Sequence, residues 1–184
     1  DIVDNPFKPV SERYEKMSSY GTGHRAKKEL IGSGLVEEEK VKKDGSSLTL
    51  LEITDRGREY LEKEGYKIDR VGRGGIEHRY WQYHIKRLLE QAGYTAKREY
   101  YDIDVYGNDG ESEIGVEIAL GANEREIDHV KKNLETVDCV VVAAKDRHIK
   151  SNLKDMLTEE FSGSVNVEVR LLEELEADDA QFEN

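Results

Sequence analysis

Four acidic side chains lie close together in the middle of this 184-residue chain: Asp102 and Asp104 in the run 101–106, YDIDVY, and Glu113 and Glu117 in the run 113–119, EIGVEIA. Side chains of an extended strand alternate between its two faces. The spacing predicts that Asp102 and Asp104 share one face with Ile103 and Val105 opposite, and that Glu113, Glu117 and Ala119 share one face with Ile114, Val116, Ile118 and Leu120 opposite. Gly107-Asn108-Asp109-Gly110 reads as the turn between the runs, so Asp104 and Glu117 can meet across a hairpin. Carboxylates gathered in this way are the hard oxygen donors that Mg²⁺ takes together with retained waters and a substrate phosphate oxygen. A plain solvated sheet face accounts for the same alternation, because buried Ile and Val require polar residues opposite.

A second set of residues is cationic. His24, Arg25, Lys27 and Lys28 fall on one predicted helix, and Lys42 and Lys43 precede the Asp44-Gly45 pair of a predicted hairpin. Further along, Arg70, Arg73, Arg79, Lys86 and Arg87, set against Asp69 and Glu77, make a locally basic stretch that could follow a phosphate backbone. Gly72, Gly74 and Gly75 match no phosphate-binding fingerprint and read as hinge residues. His78, His84, His129 and His148 have no metal-ligand spacing and read as surface or structural groups. The single cysteine, Cys139, excludes an intrachain disulfide and reads as a buried core thiol.

The elements that must carry these residues follow from periodicity. Helices are predicted over 10–17 and 22–31, with the turn Ser18-Ser19-Tyr20-Gly21 between them and Gly32-Ser33-Gly34 closing the second. Strands over 35–42 and 48–53 flank the hairpin turn, and Thr54 caps a helix that ends at Gly65. Composition shifts towards Gly and Arg at residues 69–75, which reads as a linker. Beyond it comes a helix over 76–91 with Trp81, Ile85, Leu88 and Leu89 on one face, and then strands over 95–101, 103–106 and 113–120. A helix over 123–136, a strand over 139–144, a helix over 147–158 and a strand over 165–169 complete the order αβββαβαβ. The alternation at the end requires parallel crossovers and the hairpin is antiparallel, so the sheet is mixed.

The fold class expected is α+β: residues 1–68 form one module, 76–172 a small α/β domain with helices flanking the mixed sheet, and 173–184 a frayed acidic tail. The net charge of -12 disfavours nucleic acid only until its distribution is seen. Residues 1–68 hold 13 basic and 14 acidic side chains, whereas residues 159–184 hold one basic and nine acidic, so the acidity belongs to the C-terminal end. With no long apolar run and no basic-then-apolar opening, a soluble cytoplasmic protein with no membrane partner is expected. The chain opens on Asp1 rather than methionine, as a piece of something longer would.

The order helix, basic helix, hairpin, helix over residues 8–66, with SGLVEEEKVKKDGSSLTLLEITDRGREYLEKEG as hairpin and following helix, resembles the winged-helix DNA-binding family. That resemblance implies groove-facing roles for Thr22, His24, Arg25 and Lys28 and backbone contacts from Lys42 and Lys43. Over residues 74–170 the αβββαβαβ order, with YYDIDVYG followed by EIGVEIALG, resembles the PD-(D/E)XK restriction-endonuclease-like superfamily, most closely its archaeal Holliday-junction-resolvase-like branch. It implies Mg²⁺ held by Glu77, Asp104 and Glu117. Where the superfamily has its lysine this chain has Ala119, and a lysine of the following helix, Lys131 or Lys132, is the substitute that the resemblance suggests.

Three functions are compatible with these residues. The favoured one is a DNA-binding part of an archaeal or mobile-element DNA-processing protein, in which both modules act on DNA beside an ATPase or another domain outside this sequence. The second is an active Mg²⁺-dependent DNA endonuclease. The third is a transcriptional regulator or assembly factor whose α/β domain is an inactive interaction surface, including a homodimer interface.

Overall fold

The computed structural model describes residues 1–43, 46–68, 72–161, 163 and 165–177. Arg70, the Asp44-Gly45 turn and most of the expected acidic tail lie outside the described residues. The chain divides into two compact units, Asp1–Arg79 and Tyr80–Asn184. The division falls inside a helix, a few residues beyond the linker expected from composition.

The first unit contains α1 (Val10–Tyr14), α2 (Tyr20–Gly32), β1 (Val36–Lys43), β2 (Ser46–Ile53) and α3 (Asp55–Lys63). The hydroxyl of Ser19 caps α2 by accepting the Thr22 N–H, and that of Thr54 caps α3 by accepting the Gly57 N–H. The Thr54 hydroxyl also donates to the Gly34 carbonyl at 2.6 Å, which ties the start of α3 to the end of α2. β1 and β2 pair antiparallel from Val36↔Ile53 to Lys43↔Ser46. Val10, Tyr14, Val36 and Leu51 form the core, with Ile2, Leu30 and Leu35 packed against it. Gly57 is required by close approach: a Cβ there would drive into the Leu35 carbonyl oxygen.

The helix α4 (Ile76–Gln91) leads into the second unit, which continues with β3 (Thr95–Tyr100), β4 (Ile103–Asn108), β5 (Glu113–Ala119), α5 (Glu124–Leu134), β6 (Cys139–Ala144), α6 (Arg147–Glu160), β7 (Val167–Leu171) and α7 (Leu172–Ala177). The five strands lie in sequence order; β3, β4 and β5 are antiparallel and β5, β6 and β7 parallel. This is the mixed sheet expected from the alternation of elements. Gly107 faces Leu89 of α4, while Gly115, one strand over on the opposite face, meets Val137 just beyond α5. Both faces are therefore covered, and β5 is buried from Ile114 to Ala119. One apolar cluster lies under α5 and α6, where Ile127, Val130, Ile149, Leu153 and Leu157 pack on Val140, Val142 and Ala144.

Three expectations are corrected. Asp102 is not on the strand with Asp104: Tyr101 and Asp102 are the two central residues of the β3–β4 turn, at φ 55° and 65°. The segment read as a frayed tail from Glu173 begins as α7, whose Leu172 and Leu175 are buried. Cys139 is only half-buried, although burial still raises its thiol pKa. No helix among the described residues is long and apolar enough to cross a membrane.

Candidate functional site

The β4–β5 ladder pairs Val105 with Val116, and the same register sets Asp104 opposite Glu117. There the side chains take over from the ladder. The Asp104 backbone N–H donates to Glu117 Oε1 at 3.3 Å, and the Ile118 N–H donates to Asp104 Oδ2 at 2.9 Å. From α4, Gln82 Nε2 donates to Asp104 Oδ1 at 3.0 Å; from α5, Asn133 Nδ2 donates to Glu117 Oε1 at 2.5 Å. His129, one helical turn before Asn133, brings Nδ1 to 3.7 Å from Glu117 Oε2. Two strands and two helices thus converge on one carboxylate pair.

Glu117 is 2% exposed, so the solvated-face reading does not hold for it. Desolvation, and after it the charge of Asp104, raises its pKa from 4.5 to about 8. The hydrogen bonds from Asp104 and Asn133 act in the opposite direction. A glutamate held this far from its ordinary value by burial and a neighbouring carboxylate costs stability, and such groups concentrate where chemistry or binding requires them.

Gln82 is 1% exposed, and its Nε2 is committed to Asp104 because a carboxylate can only accept. Its Oε1 is buried without a hydrogen-bond partner. A buried acceptor in that position is what a cation would satisfy. Asp104, Glu117 and Gln82 Oε1 are hard oxygens, the kind of donor that Mg²⁺ takes. Among the described residues no three His, Cys, Asp or Glu side chains are grouped to hold a metal.

The other expected site residues are placed as follows. Glu77 is buried in the first turn of α4, on the short part of that helix belonging to the first unit, whereas Asp104 and Glu117 belong to the second. Ala119, where the resemblance calls for a lysine, is fully buried in the apolar cluster under α5 and α6. Lys131 pairs with Glu160 at 2.7 Å and Lys132 with Asp102 at 2.7 Å, so each lysine has a partner other than Asp104 and Glu117. The α5 side chains that do meet Glu117 are Asn133 and His129. His129 is thereby moved from the surface histidines to the edge of the site, with 58% of its side chain exposed.

In the first unit His24, Arg25 and Lys28 are exposed on α2, with no hydrogen-bond or ion-pair partner among the described residues. Lys27 on the same helix is tied to Glu38 at 2.6 Å. Thr22 is half-buried and its hydroxyl engages Ser19 Oγ at 3.0 Å, which leaves it a capping role. Lys42 is exposed, Lys43 half-buried and Arg73 exposed. Arg79 leaves the proposed phosphate track because it is buried against Glu52.

Gln82, Asn133 and His129 were not singled out from the sequence as site residues. A signal was present for two of them. Gln82 lies on the buried stripe with Ile85 and Leu89, and Asn133 on that of Ile127, Val130 and Val137, where a polar residue needs a reason. Comparison of the chain with protein-family models, curated proteins and solved structures returns no match.

Proposed function

We propose that this chain is the DNA-binding part of a DNA-processing protein: a winged-helix-like first unit docks the duplex through α2, and a restriction-endonuclease-like second unit presents Asp104, Glu117 and Gln82 to the phosphate backbone with Mg²⁺. The observation that carries this reading is the buried Glu117 beside the half-buried Asp104, to which Gln82 donates while its own oxygen stays buried and unpartnered. The exposed, unpaired cations of α2 support the docking role. The strand order, with an antiparallel hairpin followed by parallel crossovers, supports the likeness of the second unit to the nuclease superfamily.

A second reading, an active endonuclease, is favoured by the same donor set. Mg²⁺ held there would supply a polarised phosphoryl oxygen and a bound water of lowered pKa. The chain's own contributions are then distinct. Asn133 and the Asp104 N–H fix Glu117, Gln82 and the Ile118 N–H fix Asp104, and His129 is the ionisable group beside Glu117 Oε2. With Ala119 where the superfamily has its lysine, His129 would be the residue of this chain to hold or pass a proton beside Glu117.

The test is incubation of plasmid, single-stranded, flap and four-way-junction DNA with Mg²⁺ or Mn²⁺, comparing the native chain with Asp104→Asn and Glu117→Gln. Cleavage abolished in both variants establishes the endonuclease. Salt-sensitive DNA binding without cleavage establishes the binding role alone. Neither binding nor cleavage refutes both and leaves the regulator or assembly reading.

A further inference from the structure

The β3–β4 turn joins its strands with two residues, Tyr101 and Asp102, both at positive φ. A two-residue hairpin turn with positive φ at both positions is normally built from Asn-Gly or Asp-Gly, because a side chain such as tyrosine is strained there. Glu99, just before the turn, is also at positive φ, 51°. Three residues of a short segment thus hold conformations that the sequence does not favour locally. Such strain persists where the surroundings enforce it, and it collects at binding and catalytic sites.

The consequence of the strain is that a tyrosine ring is displayed in solvent. Tyr101 is 62% exposed, yet its ring is braced, with its centroid 4.2 Å from that of Tyr100. Tyr100 is in turn braced by Tyr106 at 5.0 Å and by Lys97, whose ammonium lies 4.4 Å from the ring centroid. Tyr106 is fixed by donating to Glu113 at 2.5 Å. Lys132 bridges from α5 to Asp102 at 2.7 Å and anchors the turn to the helix that also holds Glu117. Of the acidic groups in the neighbourhood, Asp102 is paired with Lys132, and Glu113 accepts from Tyr106 and Asn108. Tyr101 precedes Asp104 by three residues, roughly 10 Å of chain at most.

From this geometry we infer that Tyr101 is a stacking platform for an unpaired nucleobase, which holds a single-stranded or branched segment of DNA beside Asp104 and Glu117. The inference rests on the DNA reading above and narrows its substrate class to DNA with unpaired bases. The bases of an intact duplex are stacked on one another, whereas an exposed ring backed by further aromatics and a cation offers an unpaired base both stacking and charge. Among the exposed aromatics of the second unit's described residues, Tyr101 is the one carried on a strained turn.

The experiment measures fluorescence anisotropy of a labelled oligothymidylate and of a labelled blunt duplex in EDTA, with the full chain. Tyr101→Asn removes the ring but keeps a residue that suits positive φ, so the turn is preserved. Tyr101→Trp restores a ring. The expected result is oligothymidylate binding weakened at least about fivefold in Tyr101→Asn and recovered in Tyr101→Trp, with duplex affinity unchanged in both. If the native chain binds oligothymidylate and Tyr101→Asn binds it equally well, the platform is refuted and the DNA reading stands. If the native chain binds neither DNA, both fail together.

Discussion

Replacing Glu117 with Gln should stabilise this protein in mildly alkaline solution. Between pH 4.5 and about 8 the folded chain keeps a proton on Glu117 that the unfolded chain has released. When the native state binds the extra proton, stability falls as pH rises, so the contribution is fully present below pH 4.5 and is lost as pH approaches and passes 8. The interval from 4.5 to about 8, at about 1.4 kcal/mol per pH unit, sets an upper limit of about 5 kcal/mol. A glutamine keeps one carbonyl oxygen for the Asp104 N–H and the Asn133 amide, which both address Oε1, and turns its NH₂ towards His129. It carries no charge to desolvate. Some of the gain is offset by fitting the amide, which leaves about 2 kcal/mol, or roughly 8 °C in Tm for a unit of this size. The assay is thermal unfolding followed by circular dichroism from pH 5 to 9 for both proteins, because subtracting the two profiles removes every other titration. The difference should favour the native chain at pH 5, where only the cost of fitting the amide shows, and should rise with pH to favour the Gln variant above pH 8. A flat difference, or a less stable Gln variant at pH 9, would refute the claim that Glu117 is desolvated beside Asp104. Mg²⁺ or Mn²⁺ at pH 8 should narrow the gap by stabilising the native chain and leaving Glu117→Gln almost unmoved.

Asn133→Ala removes a buried donor from Glu117 and should cost about 1–3 kcal/mol in urea unfolding at pH 8, and less at pH 5, where the carboxyl is protonated; an equal cost at both pH values would assign Asn133 to packing alone. Charge removal at Arg25 and Lys28 together should flatten the dependence of log affinity on log salt for duplex DNA by about one unit for each phosphate that these side chains neutralise in the native chain. An unchanged slope would mean that α2 does not face the backbone.

The order of elements in the second unit was legible because the strands are short, most of them are rich in Val and Ile, and alternation with helices dictates parallel crossovers. The meeting of Asp104 and Glu117 was legible for the same reason: period two and a hairpin suffice. Asp102 was misplaced because its turn uses Tyr-Asp, a pair that carries no local turn signal, so the strand pattern ran straight through it. The α7 segment was hidden by its acidity, since Leu172 and Leu175 matter only once there is a sheet for them to cover. The lysines of α5 draw attention in the sequence because they are cations. Helical geometry instead directs His129 and Asn133, four residues apart and therefore on one face, at Glu117. Gln82 shows the same limit, since a polar residue within an apolar stripe looks like an imperfection until the carboxylate it serves lies across from it.

The reciprocal bonding of Asp104 and Glu117 to each other's strand has a consequence for handling the protein as well as for its chemistry. At the end of the β4–β5 hairpin nearest the site, side chains take the place of rungs, with one carboxylate capping the N–H of the neighbouring strand in each direction. The two residues act as a latch that closes only in one register, because a slip by one residue would turn both to the opposite face. Deleting either carboxylate therefore loosens a fastening of the sheet along with any bound cation. Carboxamide replacements, which can still accept those N–H groups, are the variants that separate loss of chemistry from loss of fold.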